Sequence, residues 1–206
     1  MGIFKKNSLF ICLSVVVLLT GGCSTKKAVM PRPAGFLEDY SQMTEHQDIK
    51  GLFVRRHVTK NIGDYSKFLI APVQVYFQPD SKGIGVNPQE IVKLTSFVQD
   101  QLKEGLSEHY TVVDEPGEDV LLIRAAITEV VPNKIYLNLH WSTTMMGAGI
   151  GGASFEAEFL DAGNGEQILA VIDRRKGNRV KYLKGLSKWG HTKEVLQTWV
   201  DLLVEQ

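Results

Sequence analysis

Three acidic residues and one cysteine are the parts of this chain whose types and spacing could do chemistry. Glu156 and Glu158 alternate along Glu156-Ala157-Glu158-Phe159-Leu160-Asp161, and Asp173 follows in Ile172-Asp173-Arg174-Arg175. If these stretches pair about a turn at Asp161–Glu166, Phe155, Ala157 and Phe159 face Ile172, Ala170 and Ile168. In that register all three carboxylates fall on one face of the hairpin. Paired carboxylates can bind a divalent cation or serve as the acid and base of a hydrolase. More often they form a solvated face or neutralise cations, and Arg124 on the neighbouring strand is a suitable partner. Cys23 follows two glycines in Leu19-Thr20-Gly21-Gly22-Cys23-Ser24, where its thiolate is the available nucleophile.

Other motifs are weaker. Gly147, Gly149 and Gly152 have the spacing of a dinucleotide-binding loop, but that loop must follow a strand and open a helix, whereas here a strand follows. A flexible connection is the better account, and Met145, Met146 and Gly149 make it a candidate apolar contact loop. The histidines at 46, 57, 109, 140 and 191 have no metal-ligand spacing, and there is no Gly-x-Ser-x-Gly elbow. His140 beside Trp141 reads as packing, and His191 sits at a helix start where a positive charge is mildly unfavourable. The sequence therefore implies no metal, no cofactor and no catalytic residues.

The surroundings of Cys23 specify its chemistry. Lys5 and Lys6 precede an apolar run, Leu9 to Leu19, interrupted only by Ser14. That run is too short for a spanning helix, which takes about 20 residues, and it suits the apolar core of an export signal. With the small residues before Cys23, the segment resembles a bacterial lipobox, departing from it in having Leu four residues before the cysteine and Thr20 at the usual leucine position. The resemblance implies cleavage after residue 22, attachment of lipid (palmitate among its chains) to Cys23, and a membrane tether. Ser24 in place of Asp after the cysteine implies the outer membrane, with the domain facing the periplasm. Cys12 would leave with the leader, so no intramolecular disulfide is available.

Removal of the first 22 residues leaves 184 of the 206, enough for one domain with a core. The remaining chain carries 21 Lys and Arg against 23 Asp and Glu, no electrostatic footprint for nucleic acid. Residues 23–50 read as a lipidated N-terminus and tether carrying a Phe36–Tyr40 patch suited to docking on the domain, and 51–206 as one globular domain. Within the domain, Phe68–Phe77 predicts a strand that is either at an edge or interrupted at Pro72. Asn87, Pro88 and Glu90 predict a capped helix whose stripe is Ile91, Leu94, Val98, Leu102 and Leu106. Strands follow at Tyr110–Val113, Val120–Val131 and Ile135–Trp141, then the hairpin. Thr192 caps a final helix bearing Val195, Leu196, Trp199, Leu202 and Leu203. The predicted class is α+β, with a mixed, largely antiparallel sheet of about five to six strands and two main helices packed against it.

Several motifs together resemble the proteobacterial lipoproteins of domain of unknown function 3313. They are Gly35-Phe36-Leu37-x-Asp39-Tyr40-Ser41, Ala71-Pro72-Val73, Arg124-Ala125-Ala126-Ile127-Thr128, Glu156 to Asp161 with Gly165-Glu166, and Asp173-Arg174-Arg175. The resemblance runs from Gly35 to the C-terminus and implies an envelope lipoprotein with no assigned activity. The expected role is non-enzymatic, through contact with unknown envelope proteins. The alternatives are a binding module for a cell-wall or lipid ligand, which would need a concave apolar pocket, and a carboxylate hydrolase.

Overall fold

A computed structural model describes residues 29–138, 142, 146, 148–178 and 181–204. Cys23 with the leader, and Met145, Gly147, His140 and Trp141, lie outside the described residues. The chain is α+β. Among the described residues, eight strands form: β1 (Thr44–Glu45), β2 (Leu52–Arg56), β3 (Lys67–Ile70), β4 (Gln74–Val75), β5 (Thr111–Val113), β6 (Val120–Val131), β7 (Gly152–Asp161) and β8 (Gln167–Lys176). The helices that accompany them among the described residues are α1 (Pro88–Ser107), α2 (Ile135–Asn138) and α3 (Gly190–Val204).

The strands form one sheet in the order β1-β2-β8-β7-β6-β3-β5, with β4 also paired to β6. Neighbours from β1 to β6 are antiparallel, whereas β3 and β4 run parallel to β6 and β5 runs parallel to β3. Parallel strands need a long crossover, and α1 supplies it between β4 and β5. Pro72 divides the Phe68–Phe77 stretch. Residues on either side stay on β6, Ala71 N–H donating to Ile123 O and Tyr76 N–H to Ile127 O. Between them Val73 N–H turns to Gln99 Oε1 of α1 at 2.9 Å.

The sheet has more strands than the five to six expected. β1 and β2 are too short to announce themselves, and Pro72 makes two strands of one. In the other direction, Ile135–Asn138 is a single helical turn, not the start of a strand. Over so few residues, alternation and helical periodicity look alike.

Both faces of the sheet are covered. On one, α1 contributes Leu94, Val98, Leu102 and Leu106, and α3 contributes Val195, Leu196, Trp199 and Leu203, all buried against inward residues of β6, β7 and β8. Burying each such side chain stabilises by about 1.5–3 kcal/mol before conformational entropy is counted. On the other face, Phe36 and Leu37 bury against Phe53, Ala126, Ala170 and Ile172. Double coverage is why β6 reads as an almost continuous apolar run, Val120-Leu121-Leu122-Ile123 onward. Residues 31–50, assigned by sequence to the tether, thus include a docked segment and strand β1.

The caps differ in detail from expectation. Asn87 Oδ1 accepts from Gln89 N–H at 2.8 Å, so it caps α1. Glu90 does not close a capping box; its carboxylate meets Lys188 at 2.5 Å and Trp189 Nε1 at 3.3 Å. Thr192 lies inside α3, not at its cap, and its buried hydroxyl donates to Val131 O at 3.0 Å. Gly152, the last glycine of the apparent dinucleotide motif, has a packing reason. A Cβ there would stand 2.4 Å from the Arg175 carbonyl oxygen of β8.

Candidate functional site

The β7–β8 register decides where the carboxylates go. Phe155 pairs with Asp173, Glu156 with Ile172, Ala157 with Val171 and Glu158 with Ala170. This is one residue away from the expected pairing, and an irregularity at Phe159/Leu160 accommodates the shift. A one-residue slip exchanges faces. Glu156 and Glu158 therefore face the N-terminal segment, while Asp173 faces the helices. The three do not form a single cluster.

Glu156 is only 1% exposed, and both oxygens are used. Oε1 accepts from Ala34 N–H at 2.7 Å and Oε2 from the Tyr40 hydroxyl at 2.6 Å. The same hydroxyl accepts from Gly35 N–H at 2.8 Å and Leu37 N–H at 3.0 Å. Burial, reinforced by the Glu156 hydrogen bond, pushes the Tyr40 phenol well above its usual range, so it remains a donor. Glu156 and Tyr40 together form a latch that fastens residues 34–40 to the middle of the sheet.

Glu158, also buried, extends the latch. Arg124 Nη1 lies 2.7 Å from Glu158 Oε1, the partnership anticipated from sequence. Gln167 Nε2 donates to Glu158 Oε2 at 2.7 Å, and Gln167 Oε1 accepts from Arg55 Nε at 3.0 Å. Arg55 also pairs with Asp39. Asp39 lies below the usual carboxylate range because Ser41 donates to it through its backbone N–H, with the Ser41 hydroxyl and Arg55 adding to the effect. Phe36 completes the contact, with the Arg124 guanidinium 5.5 Å from its ring centre and Tyr76 edge-on at 5.8 Å.

Asp173 is fully buried under α3. Trp199 Nε1 donates to its Oδ2 at 2.8 Å, and Arg175 pairs with the same oxygen. Burial nevertheless raises its pKa, outweighing Arg175. The folded protein thus holds this proton more tightly than the unfolded chain, whose value is near 3.8. The stability the group contributes is full below that value and is lost as pH rises through the folded one. In melting curves from about pH 4 to about pH 7, Asp173→Asn should gain on the native protein as pH rises. A gap that does not change with pH would contradict this assignment.

A second hub is built on Asn133, which sequence placed only in a turn. Its Oδ1 accepts from Gly151 N–H at 2.7 Å and lies 3.1 Å from His191 Nδ1. Its Nδ2 donates to the carbonyls of Lys184 at 2.9 Å and Ser187 at 2.5 Å. His191 is accordingly a buried structural residue at the start of α3. Of the other described histidines, His46 Nδ1 accepts from Asp48 N–H, His57 pairs with Glu166 at 2.9 Å, and His109 packs edge-on to Tyr110. No metal-binding group of three or more His, Cys, Asp or Glu occurs among the described residues. Of the contact-loop candidates, Met146 is exposed, and Gly149, at φ +75°, accepts from Lys134 N–H at 2.9 Å.

Polar side chains line a cleft of about 190 Å³ beside Arg32, Asp80, Glu129 and Arg174. An apolar hollow between β2 and α3 holds only about 30 Å³.

The family described as "Protein of unknown function (DUF3313)" matches residues 32–203, a span that takes in the latch, the whole sheet and nearly all of α3. The chain belongs to this family. Among curated relatives, the uncharacterized lipoprotein YdcL of Escherichia coli K12 is 24% identical over 175 residues, covering 78% of each chain; the O157:H7 protein matches equally. Among solved structures, the hypothetical protein CT253 from Chlamydia trachomatis aligns with TM-score 0.42 at 11% identity, over 68% of this chain and 96% of that one. The PelC dodecamer from Paraburkholderia phytofirmans aligns with TM-score 0.38 at 15% identity, over 70% and 96%.

Proposed function

We propose that this DUF3313 protein is a lipid-anchored envelope protein that works through contact and not catalysis. The observation that carries this reading is the use of its carboxylates. Glu156, Glu158 and Asp173 each hold structural partners, and two of them fasten the segment that follows the anchor. A hydrolase would need such groups open to substrate. The apolar hollow of about 30 Å³ between β2 and α3 is too small for a lipid chain, and the wider groove of about 700 Å³ beside Gln42, Glu45, Asp48 and Arg55 is lined mainly by polar side chains, so neither is the concave apolar pocket that the binding-module alternative needs. The lipoprotein name of the YdcL relatives supports the anchor.

In this reading Cys23 carries the lipid, Ser24 directs the protein to the outer membrane, and the domain faces the periplasm. One acyl chain binds a membrane only marginally, whereas the several chains of a bacterial lipoprotein hold it stably. Cys23→Ala is expected to abolish incorporation of labelled palmitate and to release the protein from the membrane fraction. Unchanged labelling would overturn the reading. Crosslinking in intact cells should then capture an envelope protein with the native chain and not with Cys23→Ala.

A further inference from the structure

Val131, Gly152 and Lys176 stand side by side in the register of β6, β7 and β8, so one end of the sheet is defined by all three. Two connections leave that end, residues 132–151 and 177–189. They are tied together by Asn133, whose N–H donates to Lys188 O at 2.8 Å, and by packing of α2 on the turn Tyr182–Leu186. The surface they present is unusual in two respects. Ile135, Tyr136, Met146, Leu183 and Leu186 are all exposed there, Tyr136 at 66% and Leu183 at 78%. In addition, the connections 132–151 and 177–189 contain five Lys and Arg and no Asp or Glu, with Arg174, Arg175 and Lys176 at the adjoining end of β8, in a chain whose formal net charge is zero.

Some of those cations are occupied: Arg174 with Glu129, Arg175 with Asp173, Lys181 with Glu194, and Lys188 with Glu90. Lys134, Lys176 and Lys184 are exposed and make no ion pair among the described residues. Exposed aliphatic and aromatic side chains set among free lysines match a lipid headgroup layer, where apolar tips enter and ammonium groups meet phosphate.

The path of the chain identifies the occupant. Pro31 and Arg32 line the cleft with Glu129, Ser154 and Arg174, within three residues of the same strand ends. Cys23 precedes Pro31 by eight residues, a reach of at most roughly 28 Å when fully extended. The chain thus leaves the fold near this end, and a lipid on Cys23 brings it to the bilayer more readily than the opposite end, roughly 30 Å away along β6. We propose that the surface around Tyr136, Leu183 and Leu186, with Lys134, Lys176 and Lys184, rests on anionic phospholipid of the leaflet that holds the Cys23 lipid. The inference depends on the reading of Cys23 as lipidated, and it adds an orientation and a second membrane signal. Basic residues at such a surface add an attraction to anionic headgroups that falls off within a Debye length.

The test uses acylated mature protein with one introduced cysteine, at Leu183, at Met146 or, as a control, at exposed Val58, which lies toward the opposite end of the sheet. Because Cys23 is acylated and Cys12 is gone, the new thiol alone takes an environment-sensitive fluorophore. The vesicles are phosphatidylethanolamine with about one third phosphatidylglycerol. Flotation reports the anchor, and the fluorophore reports the face. At 183 and 146 the emission should move to the blue, rise on the order of twofold, and be quenched by nitroxide-bearing lipid, with no change at 58. Lys134→Glu, Lys176→Glu and Lys184→Glu together should reverse most of that change without impairing flotation. Emission at 183 and 146 equal to that at 58 on protein that floats overturns the proposal and leaves the anchor standing. Loss of flotation overturns both. A blue shift without vesicles that grows with protein concentration assigns the surface to a second copy of the chain and overturns the proposal.

Discussion

Trp199→Ala is expected to remove a large part of the stability of the domain, with a loss of about 3–5 kcal/mol in urea unfolding. The indole is 3% exposed and stacks on Phe155 with ring centres 4.7 Å apart, so its removal leaves a cavity where α3 meets β7. The substitution also takes the Nε1 donor from Asp173, a carboxylate with no exposure to water, which adds about 1–3 kcal/mol. Domains of this kind are stable by only about 5–15 kcal/mol in total, so the variant should be close to unfolding or beyond it. Trp199→Phe separates the two contributions. It retains most of the packing, and its cost should be near that of the lost hydrogen bond. Equal losses for both variants would show that packing on Phe155 carries little.

Glu156→Ala should act differently, by loosening one segment while the sheet survives. It removes the acceptor for Ala34 N–H and for the Tyr40 hydroxyl, whose position in turn holds Gly35 and Leu37. The expected cost is about 2–4 kcal/mol, borne mainly by release of residues 31–41. Hydrogen exchange read by mass spectrometry distinguishes the cases. Peptides over 31–41 should lose protection, while those over 120–131 in β6 should keep it. Tyr40→Phe should give a weaker form of the same pattern. If 31–41 remains protected in Glu156→Ala, the apolar burial of Phe36 and Leu37 alone holds the segment and the latch is dispensable.

What could be read from residues alone depended on how far a pattern extends. The stripe Leu94, Val98, Leu102, Leu106 repeats over more than three turns, and β6 is a mostly apolar stretch of twelve residues; both lie where periodicity places them. The family motifs, too, mark positions that the latch uses, Tyr40, Arg124 and Glu156 among them. Short elements escaped for lack of length: β1 has two residues and α2 only four. The hairpin register failed for a different reason. Both faces of β7 and β8 are buried, so alternation no longer points one set of residues inward, and a slip of one costs nothing in the pattern. The irregularity at Phe159/Leu160 is a backbone event that residue types do not announce. That slip sent Asp173 to the helices and left Glu156 and Glu158 to the segment. The Asn133 hub was hidden because its partners are mostly backbone groups far along the chain.

A protein fixed to a surface by one end feels any force through that end. Here a pull on the anchor would not reach the two-residue margin strand β1 first. It would meet residues 34–40, bonded to β7 through Glu156 and to β2 through Asp39 and Arg55, and packed on Arg124 of β6. Those contacts would share the tension and deliver it to interior strands, each hydrogen-bonded on both sides. The latch is then a strain relief, sparing the weak edge of the sheet from being peeled by its own tether.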